Sequence, residues 1–158
     1  MILISACLLG SNCRYNGSNC FNTQLNDLVK NYEVKTICPE VAGNLTTPRS
    51  PAEIKGGNGK SVLNGKAIVV TKDGVDLTKH FLCGARKVLQ GVETKDIDFA
   101  ILKERSPSCG VNEIYNGDFD GTVEKGPGVS TAYLMSRSVK VYSEKEIAKI
   151  RENLNNLK

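Results

Sequence analysis

At 158 residues the chain has the length of one domain, and a domain of this size buries roughly 70% of the surface its unfolded chain exposes. Its 21 basic and 17 acidic side chains leave a net charge of +4, a mild excess that suits a small anionic ligand and excludes the dense basic patch of a dedicated nucleic-acid binder. No apolar run approaches the roughly 20 residues a helix needs to span a bilayer.

Ile2-Leu3-Ile4 opens the chain as a short buried strand. The tetrapeptide Ile4-Ser5-Ala6-Cys7 imitates a lipoprotein cleavage box, but no basic residue precedes it and its apolar stretch is too short for a signal core. We therefore read Met1 as the start of a cytoplasmic protein. A loop rich in Asn, Ser and Gly covers residues 10–19. Residues 21–32 read as a helix with Leu25, Leu28, Val29 and Tyr32 on one face. Residues 34–37 form the second strand, and a long loop follows over residues 39–51.

Residues 61–71 read as a β-hairpin, because Asn64-Gly65 between two apolar runs favours a tight primed turn. A helix over 76–91 places Leu77, Phe81, Gly84 and Val88 on its core side. A strand over 97–102 leads into a loop over 103–112, and a turn-rich segment carries Ile114, Tyr115 and Phe119. Gly126-Pro127-Gly128 has the form of an anion-binding turn or a plain loop, and a helix follows over 130–136. Residues 139–142 are the last strand. Ser143 and Glu146 form a capping box for a C-terminal helix whose Asn-rich end is expected to fray. Strands alternating with helices predict one α/β domain over residues 1–158. Its expected form is a three-layer, Rossmann-like arrangement with a mainly parallel sheet and helices on both faces.

Six cysteines stand at positions 7, 13, 20, 38, 83 and 109. No two are separated by just two residues, so the local signatures of zinc ribbons, thioredoxin-like pairs and ferredoxin runs are absent. A disulfide framework fits poorly with the chain's length and the lack of a secretory signal. Cys7 follows the first strand, Cys38 ends the second, and Cys109 lies just after the strand at 97–102. If these strands are parallel neighbours, the three thiols meet at the carboxyl edge of the sheet, where open α/β sheets bind ligands.

Around them, Ser106-Pro107-Ser108-Cys109-Gly110 combines hydroxyls with a rigid turn, and Cys38-Pro39-Glu40 sets a carboxylate two residues from a thiol. Three thiolates suit zinc with a fourth ligand, or an iron–sulfur cluster with one open iron. Cys13 and Cys20 are alternative fourth ligands, with Cys13 packing beneath the site as the other reading. Cys83 has no assigned role. Glu40 either serves the site or pairs with Arg49. His80, the one histidine, reads as structural, and its isolation disfavours a Cys–His hydrolase.

At these residues the sequence resembles the thiouracil desulfidases, a small bacterial and archaeal family first described only as a domain of unknown function. The resemblance rests on Ser5-Ala6-Cys7-Leu8-Leu9-Gly10, Cys13-Arg14-Tyr15-Asn16-Gly17, Cys38-Pro39-Glu40, Pro48-Arg49-Ser50-Pro51-Ala52-Glu53-Ile54, Ser106-Pro107-Ser108-Cys109-Gly110, Ile114-Tyr115-Asn116-Gly117 and Gly126-Pro127-Gly128-Val129. It runs from about residue 2 to residue 142. It implies a 4Fe-4S cluster on Cys7, Cys38 and Cys109, with the open iron taking the sulfur of a thiolated base such as 2-thiouracil or 4-thiouracil. Water would replace that sulfur, which leaves as hydrogen sulfide. The family's catalytic roles map onto Glu40 as proton shuttle and Ser106 as a hydroxyl that orients or relays protons. Arg49 and Ser108 are assigned to substrate binding.

Asn16 and Asn116 stand where many relatives carry aspartate, and Ala42-Gly43-Asn44-Leu45 replaces a more usual pair of glycines before leucine. These departures leave the substrate open. The expected partner is a small thiolated base, with nucleic acid expected only where a further domain is added. The competing reading is a non-catalytic metal- or cluster-binding protein that handles sulfur.

Overall fold

The computed structural model describes residues 1–157. Four parallel strands form the central sheet: β1 (Ile2–Ser5), β2 (Val34–Ile37), β5 (Phe99–Leu102) and β8 (Val141–Ser143), in the order β2-β1-β5-β8. The register sets Ile2 beside both Val34 and Phe99, and Ala100 beside Val141. Every residue of β1 and β5 is buried. Covered on both faces, they read as unbroken apolar runs without alternation.

Side chains of β1 and β5 divide by parity between two cores. Ile2, Ile4, Phe99 and Ile101 pack against Leu25 and Val29 of α1 (Thr23–Val29) and Ile150 and Leu154 of α6 (Ile147–Asn156). Leu3, Ala100 and Leu102 face the other way, toward Val88, Leu134 and Val139. That second layer is built by α4 (Thr78–Lys87) and α5 (Val129–Ser136). The expected three-layer α/β architecture is therefore present.

Chain order makes the ligand crevice. From β2 the chain leaves the sheet, and it re-enters at β5 on the far side of β1. The strand order thus reverses about β1, with the carboxyl ends of β2, β1 and β5 side by side.

Outside this sheet the hairpin reading of residues 61–71 fails. Residues Gly59–Leu63 are a short helix, α3. Asn58 caps it, its side chain accepting from the Lys60 N–H at 2.9 Å while the Ser61 hydroxyl accepts from the Asn58 N–H at 3.4 Å. Asn64-Gly65 closes this helix, with Gly65 at φ +72° and its N–H on the Val62 carbonyl. An Asn-Gly pair serves a helix end as well as a primed turn, because both need a left-handed residue. The strand that does form, β4 (Ile68–Thr71), pairs antiparallel with β3 (Ala52–Lys55). The loop expected over 39–51 begins with one helical turn, α2 (Pro39–Ala42). The turn-rich segment is a second antiparallel pair, β6 (Glu113–Tyr115) with β7 (Val123–Lys125).

At the C-terminal helix the Glu146 half of the capping box forms, accepting from the Ser143 N–H at 2.9 Å, and the helix starts at Ile147. The helix runs through its Asn-rich end to Asn156. Tyr32 donates its hydroxyl to the Leu154 carbonyl at 3.1 Å and ties that end to the body. No described helix is long and apolar enough to cross a membrane.

Candidate active site

A cavity of about 760 Å³ opens at the carboxyl edge of the sheet, and Cys7, Cys13, Cys38 and Cys109 all line it. This is an ordinary volume for a small-molecule site. All six cysteines are free thiols.

Each thiol is placed by the backbone after its strand. Cys7 lies in a 3-10 turn, Ala6–Leu9, that ends at Gly10 with φ +98°. Cys38 holds the position before α2, with Pro39 at the first helical residue, where its missing N–H costs nothing. Cys109 sits in a turn built on Ser106, whose hydroxyl oxygen accepts from the N–H groups of Ser108 (3.2 Å) and Cys109 (3.1 Å). Helix α5 then grips this turn from behind. The N–H groups of Val129 and Ser130 donate to the carbonyls of Pro107 and Ser108 at 2.9 Å, and the Thr131 hydroxyl donates to the Cys109 carbonyl at 2.9 Å. The start of α5 is occupied by the cysteine loop itself, so Gly126-Pro127-Gly128 is not an open anion cradle. A Cβ on Gly128 would run into the Ser108 backbone, so only glycine lets helix and loop approach this closely.

A polar chain runs beside the thiols. Ser106 and Ser108 hydroxyls lie 2.9 Å apart, and Ser108 donates to Glu40 Oε1 at 2.9 Å. Glu40 Oε2 is held by Arg49, with Nε at 2.8 Å and Nη2 at 2.6 Å. Arg49 Nη2 also donates to the Cys13 carbonyl, and Nη1 to the Thr46 carbonyl and the Thr47 hydroxyl. Every guanidinium nitrogen of Arg49 is thus engaged by a protein acceptor. Two of its nitrogens converge on one carboxylate oxygen of Glu40, and a largely buried pair of this kind is more rigid than a surface ion pair.

Burial raises Cys109 to about 12, against hydrogen bonds from Ser5 and Ser108 that pull the other way. The hydrogen bond with Cys13, then burial, pushes Cys38 far above the ordinary thiol range. Without a bound metal these thiols stay protonated, and a metal group must displace their protons.

The sequence profile of the 2-thiouracil desulfurase family matches residues 2–146. This chain belongs to that family. The YbbK protein of Bacillus subtilis (strain 168) is 46% identical over 147 residues, covering 93% of this chain and 97% of its own. Among solved structures, the 4Fe-4S-dependent thiouracil desulfidase TudS matches with a TM-score of 0.84 at 39% identity, over 98% of this chain and 97% of that one.

Within this desulfurase fold, Cys7, Cys38, Cys109, Glu40, Ser106, Ser108 and Arg49 all line the one cavity. Cys13 joins them, its thiol within hydrogen-bonding reach of Cys7 and Cys38. Cys20 instead packs against the α1–α6 core, and Cys83 lies partly exposed on α4. His80 is structural, with Nδ1 2.8 Å from the Gly43 carbonyl, joining α4 to the turn after α2. Gly84 belongs to the same junction, because a Cβ there would strike the Pro39 carbonyl oxygen.

Glu104 was not singled out in the sequence. It is 4% exposed and accepts from the N–H groups of Val111 (2.8 Å), Asn112 (3.0 Å) and Glu113 (3.2 Å) and from the Asn112 side chain. Burial alone would raise its carboxyl, but these N–H groups and Ser143 outweigh it and hold the group below the ordinary carboxylate range. Glu104 is the post around which the Ser106–Cys109 loop is wound. Ser5, 2% exposed, accepts from the Lys103 N–H at 3.0 Å and ties the end of β1 to that loop. One signal was available for Glu104, a carboxylate two residues past the end of a buried strand, but many exposed glutamates share it.

Proposed function

We propose that this chain is an iron–sulfur-dependent desulfidase that removes sulfur from a thiolated pyrimidine such as 2-thiouracil or 4-thiouracil. The observation that carries this reading is the convergence of Cys7, Cys38 and Cys109 from three adjacent parallel strand ends on one cavity, beside the chain Ser106–Ser108–Glu40. Family membership and the likeness to TudS support it.

The residues present fit a 4Fe-4S cluster. Thiolates are the donors such clusters take. Four thiols line a cavity of about 760 Å³, which leaves room for a group larger than a single ion. We assign Cys7, Cys38 and Cys109 as its ligands, which leaves one iron without a protein donor. When bound, the cluster supplies a soft Lewis acid with an affinity for sulfur that water and carboxylates lack.

The protein does the rest. Arg49 and Ser108 hold both oxygens of Glu40, so its carboxylate stands fixed at the cavity wall. Glu40 takes a proton from a water as that water attacks the thiocarbonyl carbon. The C–S bond breaks as the added hydroxyl gives up its own proton and becomes C=O, and both protons of the water pass to the departing sulfur, which leaves as hydrogen sulfide. Ser106 lies at the far end of the hydroxyl chain, where it orients the base or relays the proton. A positioned carboxylate of this kind contributes about 10²–10⁴ in rate.

The mild charge suits a small base rather than a nucleic acid as partner. Six free thiols favour a reducing, cytoplasmic setting for residues 1–158 acting as one domain. Cys13 favours one rival reading, because a fourth thiol could close the cluster and make it a store. The test is anaerobic purification followed by iron and sulfide analysis and an assay of sulfide release from both thiouracils. About four iron and four sulfide per chain, kept in Cys13→Ser and lost in Cys38→Ser, with sulfide released, is the expected result. Iron lost with Cys13, or a loaded protein that releases no sulfide, would refute the open-site enzyme.

A further inference from the structure

Phe119 is an aromatic residue placed against the usual rules. It stands at the tip of the β6–β7 hairpin with φ +54°, a left-handed conformation that bulky residues seldom adopt. It is half-buried, yet it packs into none of the hydrophobic clusters found among the described residues. It lines the same cavity as the cysteines. Neither local preference nor core packing therefore accounts for its position.

What holds it is a buried carboxylate on a different strand pair. Glu53 of β3 is 8% exposed, and its Oε2 accepts from the N–H groups of Gly117 (2.9 Å) and Phe119 (3.1 Å). Gly117, at φ +91°, presses on β3 so closely that a Cβ would strike the Ile54 carbonyl and Lys55. The tip is stitched internally as well, with Asp118 N–H on Asn116 Oδ1 and Thr122 N–H on Asp120 Oδ1. A strained backbone clamped by a buried charge persists only when its surroundings over-determine it, and such strain gathers at ligand sites.

We infer that Phe119 is the ring on which the flat heterocycle of the substrate rests, and that Glu53 is its positioning residue. This rests on the thiolated-pyrimidine reading above. A phenyl face accepts any planar base, so Phe119 holds the ring in the cavity while the polar chain from Glu40 acts on one of its carbons. Phe119 acts on binding, and Glu53 acts only through Phe119.

The experiment measures uracil affinity by calorimetry and sulfide release from 4-thiouracil on the same cluster-loaded preparations. Phe119→Leu keeps bulk but removes the ring. It is expected to weaken uracil binding and raise KM about tenfold, the loss of one base–aromatic stack, with kcat little changed. Phe119→Tyr keeps the ring and the affinity. Glu53→Ala weakens binding in the wild-type background and adds nothing further in Phe119→Leu, since both changes remove one interaction. Exposed Phe21, outside the cavity, is the control, and Phe21→Leu leaves affinity unchanged. Unchanged affinity in Phe119→Leu, additive losses in the double variant, or no uracil binding by the wild type would overturn the inference. Uracil binding that depends on the ring, in a protein that releases no sulfide, would instead sink the proposed activity and leave the ring contact standing.

Discussion

In the central sheet, every residue of β1 and β5 is buried and hydrophobic contact does the holding. In the loop and hairpin over residues 103–125, two buried carboxylates do it instead, Glu104 within the loop and Glu53 reaching across from β3. The sheet is stabilised by many interchangeable contacts, each worth about 1.5–3 kcal/mol per buried large side chain. The loops depend on a few specific acceptors, each of which satisfies several N–H groups at once. The difference suits their tasks. A sheet needs only to be rigid, whereas a site must hold odd backbone shapes, such as Arg105 at φ +64° and Phe119 at φ +54°. Hydrophobic packing specifies no backbone angle, and a carboxylate that accepts two or three neighbouring N–H groups does.

The largest expected effect separates function from fold. Cys7→Ser, Cys38→Ser and Cys109→Ser should each reduce bound iron to background and abolish sulfide release. The metal-free protein should stay folded, losing about 1–3 kcal/mol where the new hydroxyl is buried, at Cys7 and Cys109, and less at half-buried Cys38. Iron analysis beside urea unfolding checks this. A collapse of the fold in all three would mean that the site is part of the core after all.

Next comes Glu40→Gln, which keeps the shape and the Ser108 contact but removes the base. Turnover should fall by about 10²–10⁴ with iron content unchanged. Full turnover would remove Glu40 from the chemistry.

Two stability variants then weigh the two modes of construction against each other. Leu3→Ala cuts a fully buried side chain from β1 and should cost about 2–5 kcal/mol. Glu104→Gln keeps one acceptor oxygen but loses the charge, and should cost about 1–3 kcal/mol. Its cost should appear together with faster amide exchange at Val111, Asn112 and Glu113, while exchange in β1 stays slow. Equal loosening of both regions would erase the distinction drawn here.

The smallest effect is in pH. The Glu104 carboxyl is held below its ordinary value in the folded protein. The unfolded chain therefore binds its proton first as pH falls. This contribution to stability is complete at neutral pH, begins to fade near the unfolded glutamate value of about 4.3, and is lost as pH drops through the lower folded value. Urea unfolding between neutral and acid pH should show a shallower acid slope in Glu104→Gln than in the wild type. Identical slopes would assign the acid sensitivity elsewhere.

Legibility in the sequence follows the same division. The strands at 2–4 and 97–102 were readable because buried parallel strands are nearly unbroken apolar runs, and the one at 34–37 because apolar Val34 and Ile37 bound it. The helix faces of Leu25 and Val29, and of Phe81 and Val88, were readable because a helix repeats its buried positions every three to four residues. Cys38-Pro39-Glu40 and Ser106-Pro107-Ser108-Cys109 stood out because prolines and hydroxyls packed around a thiol are poor core material. In the hairpin expected over 61–71 the first strand was misread, because Asn64-Gly65 announces a left-handed turn without saying whether a strand or a helix leads into it. β4's partner, β3, lies before α3 in the chain, and no local pattern points to it.

By itself, the sequence determined the strand–helix alternation, the three strand-end cysteines and their neighbouring carboxylate, because each is written in adjacent residues. Only the tertiary structure decided that Cys13 lines the cavity while Cys20 does not, that Arg49 pairs with Glu40, and that Glu53 and Glu104 are posts rather than surface charges. Those outcomes depend on groups brought together from up to 66 residues apart, as Glu53 and Phe119 are. A glutamate's letter is the same whether water or three backbone N–H groups surround it.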